Sequence, residues 1–166
     1  MAYIRSIENG NRIAIAVVSS EIAALLLSSG RTAHSRFKIP LKVDQNSILN
    51  IEKQSELAKL IQNAKAILWD KAPMMSRFAF EAVDRTFKDL MDNNLFFGGK
   101  LMILGSDFRQ ILPVVVQDTH SQIIDACLKS SDLWKDFTTM CLTINIQVQQ
   151  QNDVEQKNFV AFFRYW

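Results

Sequence analysis

Two apolar runs in this chain end abruptly in polar and acidic residues. The first run stops at Asp70 within residues 67–75, ILWDKAPMM. The second run stops before Asp107 and Gln110 within residues 101–115, LMILGSDFRQILPVV. A buried parallel strand has this form where it delivers side chains to a site at its carboxyl end. Two such strands, roughly thirty residues apart with a helical stretch between them, indicate the core of a nucleotide-driven motor.

Strands and helices alternate along the rest of the chain. The patterns predict strands at residues 12–18, 67–69, 100–104 and 140–146, and helices at residues 21–27, 48–64, 77–91, 121–129 and from 159. Residues 31–41 are predicted to be a basic, irregular loop that ends at Pro40. Asn93-Asn94 and Gly98-Gly99 enclose a predicted turn. The alternation predicts an α/β fold with a parallel sheet flanked by helices.

Composition narrows the class of protein. The chain has 166 residues, 48% of them hydrophobic, and a net charge of +2, which suits one globular domain and is too small a charge to indicate nucleic acid by itself. We expect no membrane segment, because no apolar run approaches about 18 residues. Cys127 and Cys141 are predicted to be buried free thiols in a reducing intracellular compartment. The glutamine-rich stretch from Gln147 predicts a domain at residues 1–146 and a linker with a helix start at 147–166.

Longer motifs point to one family. They are SS at 19–20, GRTAHSRFKIP at 30–40, WD at 69–70, APM at 72–74, FEA and DRT within 80–86, FGGK at 97–100 and DFRQILPV at 107–114. With these motifs the chain resembles the Pif-type DNA helicases, in particular their Helitron-transposon-like branch. The resemblance implies a RecA-like P-loop NTPase fold and an ATP-dependent 5′-to-3′ DNA helicase. It also implies a nuclear or mitochondrial role in DNA repair, recombination, telomere and genome maintenance, or transposition.

The resemblance implies roles for individual residues toward ATP and Mg²⁺. Asp70 matches the aspartate that holds the ATP-bound Mg²⁺, usually through water, as suits a hard cation. Gln110 matches the glutamine that senses the γ-phosphate and couples it to the DNA path. Without the resemblance, Asp70 could equally cap a turn, and Gln110 could be a solvated polar residue.

The resemblance also implies a single-stranded DNA contact. Thr32, His34 and Ser35 match the loop that touches the strand, and Arg31, Arg36 and Lys38 add positive charge beside it, which suits a phosphate backbone. The alternatives are a structural role for His34 and a solvated basic surface. The phenylalanines between residues 78 and 97 are expected to be core residues and not platforms for base stacking.

Several departures from the family pattern bear on activity. The chain lacks a phosphate-cradling G-x-x-x-x-G-K-[ST] loop, and we expect the phosphate-loop strand and the second motor domain to be missing. Lys71 stands at the position of the family glutamate that activates water, a loss that typically costs about 10²–10⁴ in rate. Gln147 stands where the family has an arginine for the γ-phosphate, and Gly105-Ser106 where it has two glycines.

These departures predict that the isolated chain is a fragment without ATPase activity. Two alternatives to a helicase fragment stay open. One is a catalytically dead remnant that still binds single-stranded DNA, and the other is a transposon-derived pseudogene product.

Overall fold

The computed structural model describes residues 13–25, 31–105 and 120–140. All the elements below lie in the compact unit Met1–Asp136. The strands are β1 Ile13–Val18, β2 Arg31–Thr32, β3 Ala64–Asp70 and β4 Leu101–Leu104. The helices are α1 Glu21–Ala24, α2 Ala33–Phe37, α3 Glu56–Asn63, α4 Arg77–Met91 and α5 His120–Ala126. Short 3₁₀ turns cover Ala72–Met74, Phe96–Gly99, Leu128–Ser130 and Asp132–Asp136.

The four strands form one sheet in the order β2-β1-β3-β4, and every neighbouring pair is parallel. The strands β1 and β3 are largely apolar, as expected of parallel strands buried between helices. Val18 at the end of β1 lies beside Thr32 on one side and Asp70 on the other. The predicted α/β class with a parallel sheet is confirmed.

An aromatic cluster fills the space between the sheet and α4. Trp69 of β3 packs against Phe37 at 5.9 Å and Phe80 at 5.5 Å between ring centroids. Phe97 lies 4.9 Å from Phe80 and 6.3 Å from Phe87, in edge-on contacts that aromatic pairs favour. The expectation that the phenylalanines are core residues is confirmed for Phe80, Phe87 and Phe97, whereas Phe78 and Phe96 are half-buried.

The bounds of α4 match the predicted helix at residues 77–91. Its apolar residues recur at helical spacing and face the sheet, which is why periodicity alone predicted it. The Ser76 hydroxyl caps its first turn by accepting a hydrogen bond from the Phe78 N–H, and Asp92 ends it in the left-handed conformation.

Two other predictions are wrong in part. The predicted irregular loop at residues 31–41 begins with the two-residue strand β2 and continues as the five-residue helix α2, because the Thr32 hydroxyl caps the helix at Ser35 N–H. The predicted helix at residues 48–64 forms only over Glu56–Asn63. Its first half is irregular and not helical, because the buried hydroxyl of Thr86 accepts a hydrogen bond from the Leu49 N–H at 2.9 Å.

The remaining predictions concern residues 121–129, the two cysteines and the residues from 140 onward. The predicted helix at 121–129 is α5 followed by a 3₁₀ turn. Cys127 is a free thiol but half-buried, so the expected burial is only partial. Cys141, the predicted strand at 140–146 apart from its first residue, and the predicted helix from 159 lie outside the described residues. Within the described ranges no helix is long and apolar enough to cross a membrane.

Candidate functional site

The carboxyl ends of the parallel strands bring the predicted site residues to one edge of the sheet. Thr32, Val18 and Asp70 occupy one row across β2, β1 and β3. Neighbouring strands lie about 4.8 Å apart, so the backbones at Thr32 and Asp70 are separated by roughly 10 Å. The structure therefore places the predicted DNA-contact segment and the predicted metal aspartate on the same edge.

Asp70 ends β3 and is half-buried. Its Oδ1 accepts a hydrogen bond from the Lys71 N–H at 2.9 Å, which is the turn-capping contact that the sequence left open as an alternative. Its backbone carbonyl accepts the Ser19 N–H at 3.1 Å and so joins the end of β1 to the end of β3. These two bonds fix the backbone at Asp70 and orient its carboxylate at the sheet edge.

Lys71 follows in a left-handed conformation, with φ 52° and ψ 37°. Non-glycine residues adopt this conformation rarely, and it marks a sharp change of chain direction. The chain then enters the 3₁₀ turn Ala72–Met74, whose Pro73 suits a first turn. Lys71, which the family resemblance places at the position of a glutamate, thus follows the carboxylate directly, and its assignment to that position stays a prediction.

Gly105 closes the site from the β4 side. Its N–H donates to the Trp69 carbonyl at 2.8 Å, and its carbonyl accepts the Ala72 N–H at 3.2 Å. A β-carbon at this position would lie 2.5 Å from Asp70 Oδ1, closer than real β-carbons approach an oxygen. A side chain at this position would therefore require the Asp70 carboxylate to shift, because that carboxylate occupies the space beside Gly105.

Trp69 contacts both the residue that follows β1 and the helix α2. Its indole N–H donates to the Ser19 hydroxyl at 3.0 Å, and its ring packs against Phe37 of α2. Phe37 is fully buried and belongs to the predicted DNA-contact segment. Phe37 of α2 thus packs against Trp69, which directly precedes Asp70 in the chain.

The predicted DNA-contact residues surround two buried anchors. Ala33 and Phe37 hold α2 against the core. The remaining residues reach the surface to different degrees: Arg31, Ser35 and Lys38 are exposed, and Thr32, His34 and Arg36 are half-buried. Lys38 ends the helix in the left-handed conformation, with φ 53°. The roles of these six residues stay predictions.

Gln110 and Gln147 lie outside the described residues, so their positions relative to Asp70 stay predictions as well. Within residues 13–25, 31–105 and 120–140, no group of three or more His, Cys, Asp or Glu side chains could hold a metal ion. Asp70 alone fits the way Mg²⁺ is often held, by one or two carboxylates together with water and substrate phosphates.

Sequence reasoning did not identify Ser19 or Gly105 as parts of this edge. A glycine directly after a strand is a signal for close backbone approach, and it was available in the sequence at Gly105. The hydrogen bond from Trp69 to Ser19 joins residues 50 positions apart and has no local signal.

Comparisons with known proteins agree with this architecture. The family model described as PIF1-like helicase matches residues 1–166. The ATP-dependent DNA helicase RRM3 of Saccharomyces cerevisiae is 24% identical over 141 residues, which are 84% of this chain and 19% of RRM3. The chain thus spans about a fifth of that curated relative.

Solved structures share the fold. A double mutant of the Pif1 helicase from Bacteroides has a TM-score of 0.72 at 20% identity, over 92% of this chain and 36% of that one. Pif1 from Bacteroides in complex with ADP-AlF3 and ssDNA has a TM-score of 0.66 at 22% identity, over 78% and 31% of the two chains. The predicted RecA-like fold is confirmed, and the chain belongs to the PIF1-like helicase family.

Proposed function

We propose that this chain is the part of an ATP-dependent 5′-to-3′ DNA helicase that holds Mg²⁺-ATP next to a single DNA strand. The observation that carries the proposal is the register at the sheet edge, where Val18 separates Thr32 from Asp70. A motor must couple nucleotide hydrolysis to the DNA strand, and two sites with a single β-strand between them on a rigid sheet suit that task.

The nucleotide half of the proposal rests on Asp70. Bound Mg²⁺ would neutralise charge on the ATP phosphates, and Asp70 would hold it through water. The hydrogen bonds at Asp70 and Gly105 keep the carboxylate in place, which supports a preorganised role. We assign Gln110 to the γ-phosphate on the strength of the family motif.

The DNA half rests on α2 and the residue before it. Thr32, His34 and Ser35 are proposed to contact the strand, with Arg31, Arg36 and Lys38 attracting its phosphates. Phe37 supports this role because its contact with Trp69 fixes the segment to the strand that carries Asp70. Movement at one site would therefore strain packing next to the other.

A second candidate function is single-stranded DNA binding without turnover. Lys71 favours it, because an ammonium group next to Asp70 in sequence opposes a cation there and cannot act as the general base. The isolated chain is then expected to bind DNA and to leave ATP unhydrolysed. DNA repair, recombination or transposition would be the setting of a longer protein that carries this domain.

Anisotropy of a labelled oligo(dT) of about 20 nucleotides tests the DNA half. Binding is expected, and Thr32→Ala combined with His34→Ala should weaken it about tenfold. Lys59→Gln is the matched control, because Lys59 lies on α3 and pairs with Glu56 at the surface. Equal loss from the control and the double variant, or no binding by the native chain, would overturn the proposed DNA contact.

Phosphate release tests the nucleotide half. The native chain should release no phosphate from ATP with Mg²⁺, whether or not oligo(dT) is present. Lys71→Glu in a longer protein that also carries a phosphate-binding loop should raise turnover by about 10²–10⁴ over the same protein with Lys71. Turnover by the native 166-residue chain would refute the assignment of Lys71 as an inactivating residue.

A further inference from the structure

The strand order reverses at the boundary between β1 and β3. The chain leaves β1 for β2 on one side and then crosses to β3 on the other side, as the order β2-β1-β3-β4 requires. In open α/β sheets, ligands bind outside the carboxyl ends of the strands at such a switch point. Here Ser19 follows β1 and Asp70 ends β3, and the Ser19 N–H donates to the Asp70 carbonyl at 3.1 Å. These two residues therefore form the joint at the switch point.

Trp69 holds the side chain of Ser19 in this joint. Its indole N–H donates to the Ser19 hydroxyl at 3.0 Å, and the tryptophan itself is fully buried. An indole nitrogen can donate a hydrogen bond but cannot accept one, so a buried tryptophan favours an acceptor beside that nitrogen. The Ser19 hydroxyl is this acceptor. The bond therefore restrains the indole ring of Trp69 and the hydroxyl of Ser19 together.

The same indole ring packs against two helices. Phe37 of α2 lies 5.9 Å from Trp69 between ring centroids, and Phe80 of α4 lies 5.5 Å from it. Phe37 also meets Phe87 of α4 edge-on at 5.4 Å. Because protein interiors are close-packed, a shift of the indole ring requires these neighbours to shift as well. One buried side chain, directly before Asp70 in the chain, thus contacts α2, α4 and the joint at the switch point.

We propose that Trp69 is a positioning residue that couples a cation at Asp70 to a DNA strand at α2. This inference rests on the proposed function and names the side chain through which the two sites influence each other. Because Trp69 is fully buried, it acts through its neighbours. Its indole N–H acts on the Asp70 backbone through Ser19, and its ring acts on α2 through Phe37. Linkage requires that each ligand then changes the affinity for the other by the same factor.

The affinity for oligo(dT) with and without Mg²⁺, measured by anisotropy at equal ionic strength, tests the coupling. The ratio of the two affinities in Asp70→Asn reports how Mg²⁺ acts on the DNA alone. The same ratio in the native chain should exceed it about fivefold, and this excess is the coupling factor. Trp69→Phe and Ser19→Ala each remove the bond between the two residues. Both variants should reduce the coupling factor to about one, and because it is a ratio within each variant, a general loss of affinity cancels.

Matched variants separate this bond from general damage to the fold. Ser20→Ala removes the neighbouring hydroxyl, which caps α1 by accepting the Ala23 N–H at 3.2 Å, and should keep the coupling factor of the native chain. Ser19→Thr retains a hydroxyl and should restore most of the coupling that Ser19→Ala loses. Trp69→Phe combined with Ser19→Ala should lose no more coupling than either change alone, because both remove the same bond. Equal loss of coupling in Ser20→Ala and Ser19→Ala would overturn the proposed role of the bond.

The fluorescence of Trp69 distinguishes failure of the coupling from failure of the proposed function. Trp134→Phe with Trp166→Phe leaves Trp69 as the only tryptophan of the chain. Oligo(dT) and Mg²⁺ should each change its emission, and Asp70→Asn should abolish the response to Mg²⁺ alone. Binding of both ligands with a coupling factor of about one would overturn the inference and leave the proposed function standing. Absence of oligo(dT) binding, or of any Mg²⁺ response that depends on Asp70, would overturn the corresponding half of the proposed function and this inference with it.

Discussion

A β-carbon at Gly105 would lie 2.5 Å from Oδ1 of Asp70 and 3.3 Å from its Cα. Asp70 ends β3 and Gly105 directly follows β4, and the pairing of Trp69 with Leu104 sets the two residues side by side. The carboxylate that the family pattern assigns to Mg²⁺ therefore occupies space that any other residue at position 105 would need. The identity of residue 105 and the position of the Asp70 carboxylate are linked by sterics.

This relationship predicts the effect of Gly105→Ala. The added methyl group must displace the Asp70 carboxylate or separate β3 from β4, and overpacking of this kind costs about 1–3 kcal/mol. Chemical denaturation of the variant should show a loss of that size in the free energy of unfolding.

A double-mutant cycle with Asp70→Ala provides the control. Removing the carboxylate makes room for the methyl group, so Gly105→Ala should cost measurably less in that background. An identical cost in both backgrounds would show that the Asp70 side chain does not limit residue 105.

Thr86 fixes the segment before α3 to α4. Its buried hydroxyl accepts the Leu49 N–H at 2.9 Å and donates to the Ala82 carbonyl at 2.7 Å. Thr86→Val keeps the shape but leaves the Leu49 N–H buried without an acceptor. We expect a loss of about 1–3 kcal/mol in the free energy of unfolding.

Thr86→Ser is the matched variant, because it retains the hydroxyl and removes a methyl group. It should be more stable than Thr86→Val in the same denaturation experiment. The reverse order would mean that the methyl contacts of Thr86 matter more than its hydrogen bonds.

The error at this segment shows what local patterns cannot reveal. Apolar residues from Ile48 to Ile61 recur at spacings that suit a helix, and the periodicity is the same whether or not a helix forms. The bond that holds Leu49 outside a helix comes from Thr86, 37 positions later. A contact at that sequence separation overrides local propensity and leaves no trace in the segment itself.

The site shows the same division between local and long-range information. The strand ending in Asp70 was predictable, since an apolar run that stops at an acid has a clear form. Its neighbours Ser19 and Gly105 follow from the register of three strands, which a single sequence does not contain. The helix α2 was missed because five residues are too few to show a period, although the Thr32 cap was visible in the sequence.

Asp84 joins α4 to the tight turn that leads into β4. The buried carboxylate accepts the Phe97 N–H at 2.8 Å and the Lys88 ammonium at 2.7 Å. Asp84→Ala leaves the buried Phe97 N–H and the Lys88 ammonium without this acceptor, at a cost of about 1–3 kcal/mol. Lys88→Ala should cost less, because Asp84 keeps its bond to Phe97. Denaturation that ranked the two variants the other way would contradict this account.

Lys100 precedes β4 and is nearly covered, with 8% of its surface exposed. Its ammonium donates to the Gln62 carbonyl at 2.7 Å, in the last turn of α3. Burial, and to a smaller extent the charge of Lys65, lower the pKa of Lys100 from its ordinary value of 10.5. The Lys100 amine therefore binds a proton more tightly in the unfolded chain than in the folded chain.

The stability of the fold should consequently depend on pH through Lys100. The unfolded state binds more protons between the lowered pKa and 10.5, so the free energy of unfolding rises with pH across that window. The stability gained is complete above 10.5 and is lost as pH falls through the folded pKa. Subtracting the unfolding free energy of Lys100→Met from that of the native chain isolates this dependence. The free energy of unfolding of the native chain minus that of Lys100→Met should become more positive as pH rises.

Lys65→Met supplies the matched test, because Lys65 is exposed and lowers the pKa of Lys100 by charge alone. Without Lys65 the pKa of Lys100 in the folded chain moves back toward 10.5. The pH range between the folded and unfolded pKa values should therefore narrow. The pH dependence of the unfolding free energy that comes from Lys100 should become smaller. A flat difference between the native chain and Lys100→Met at alkaline pH would mean that Lys100 titrates alike in both states. The covered ammonium would then carry no desolvation cost, contrary to its burial beneath the end of α3.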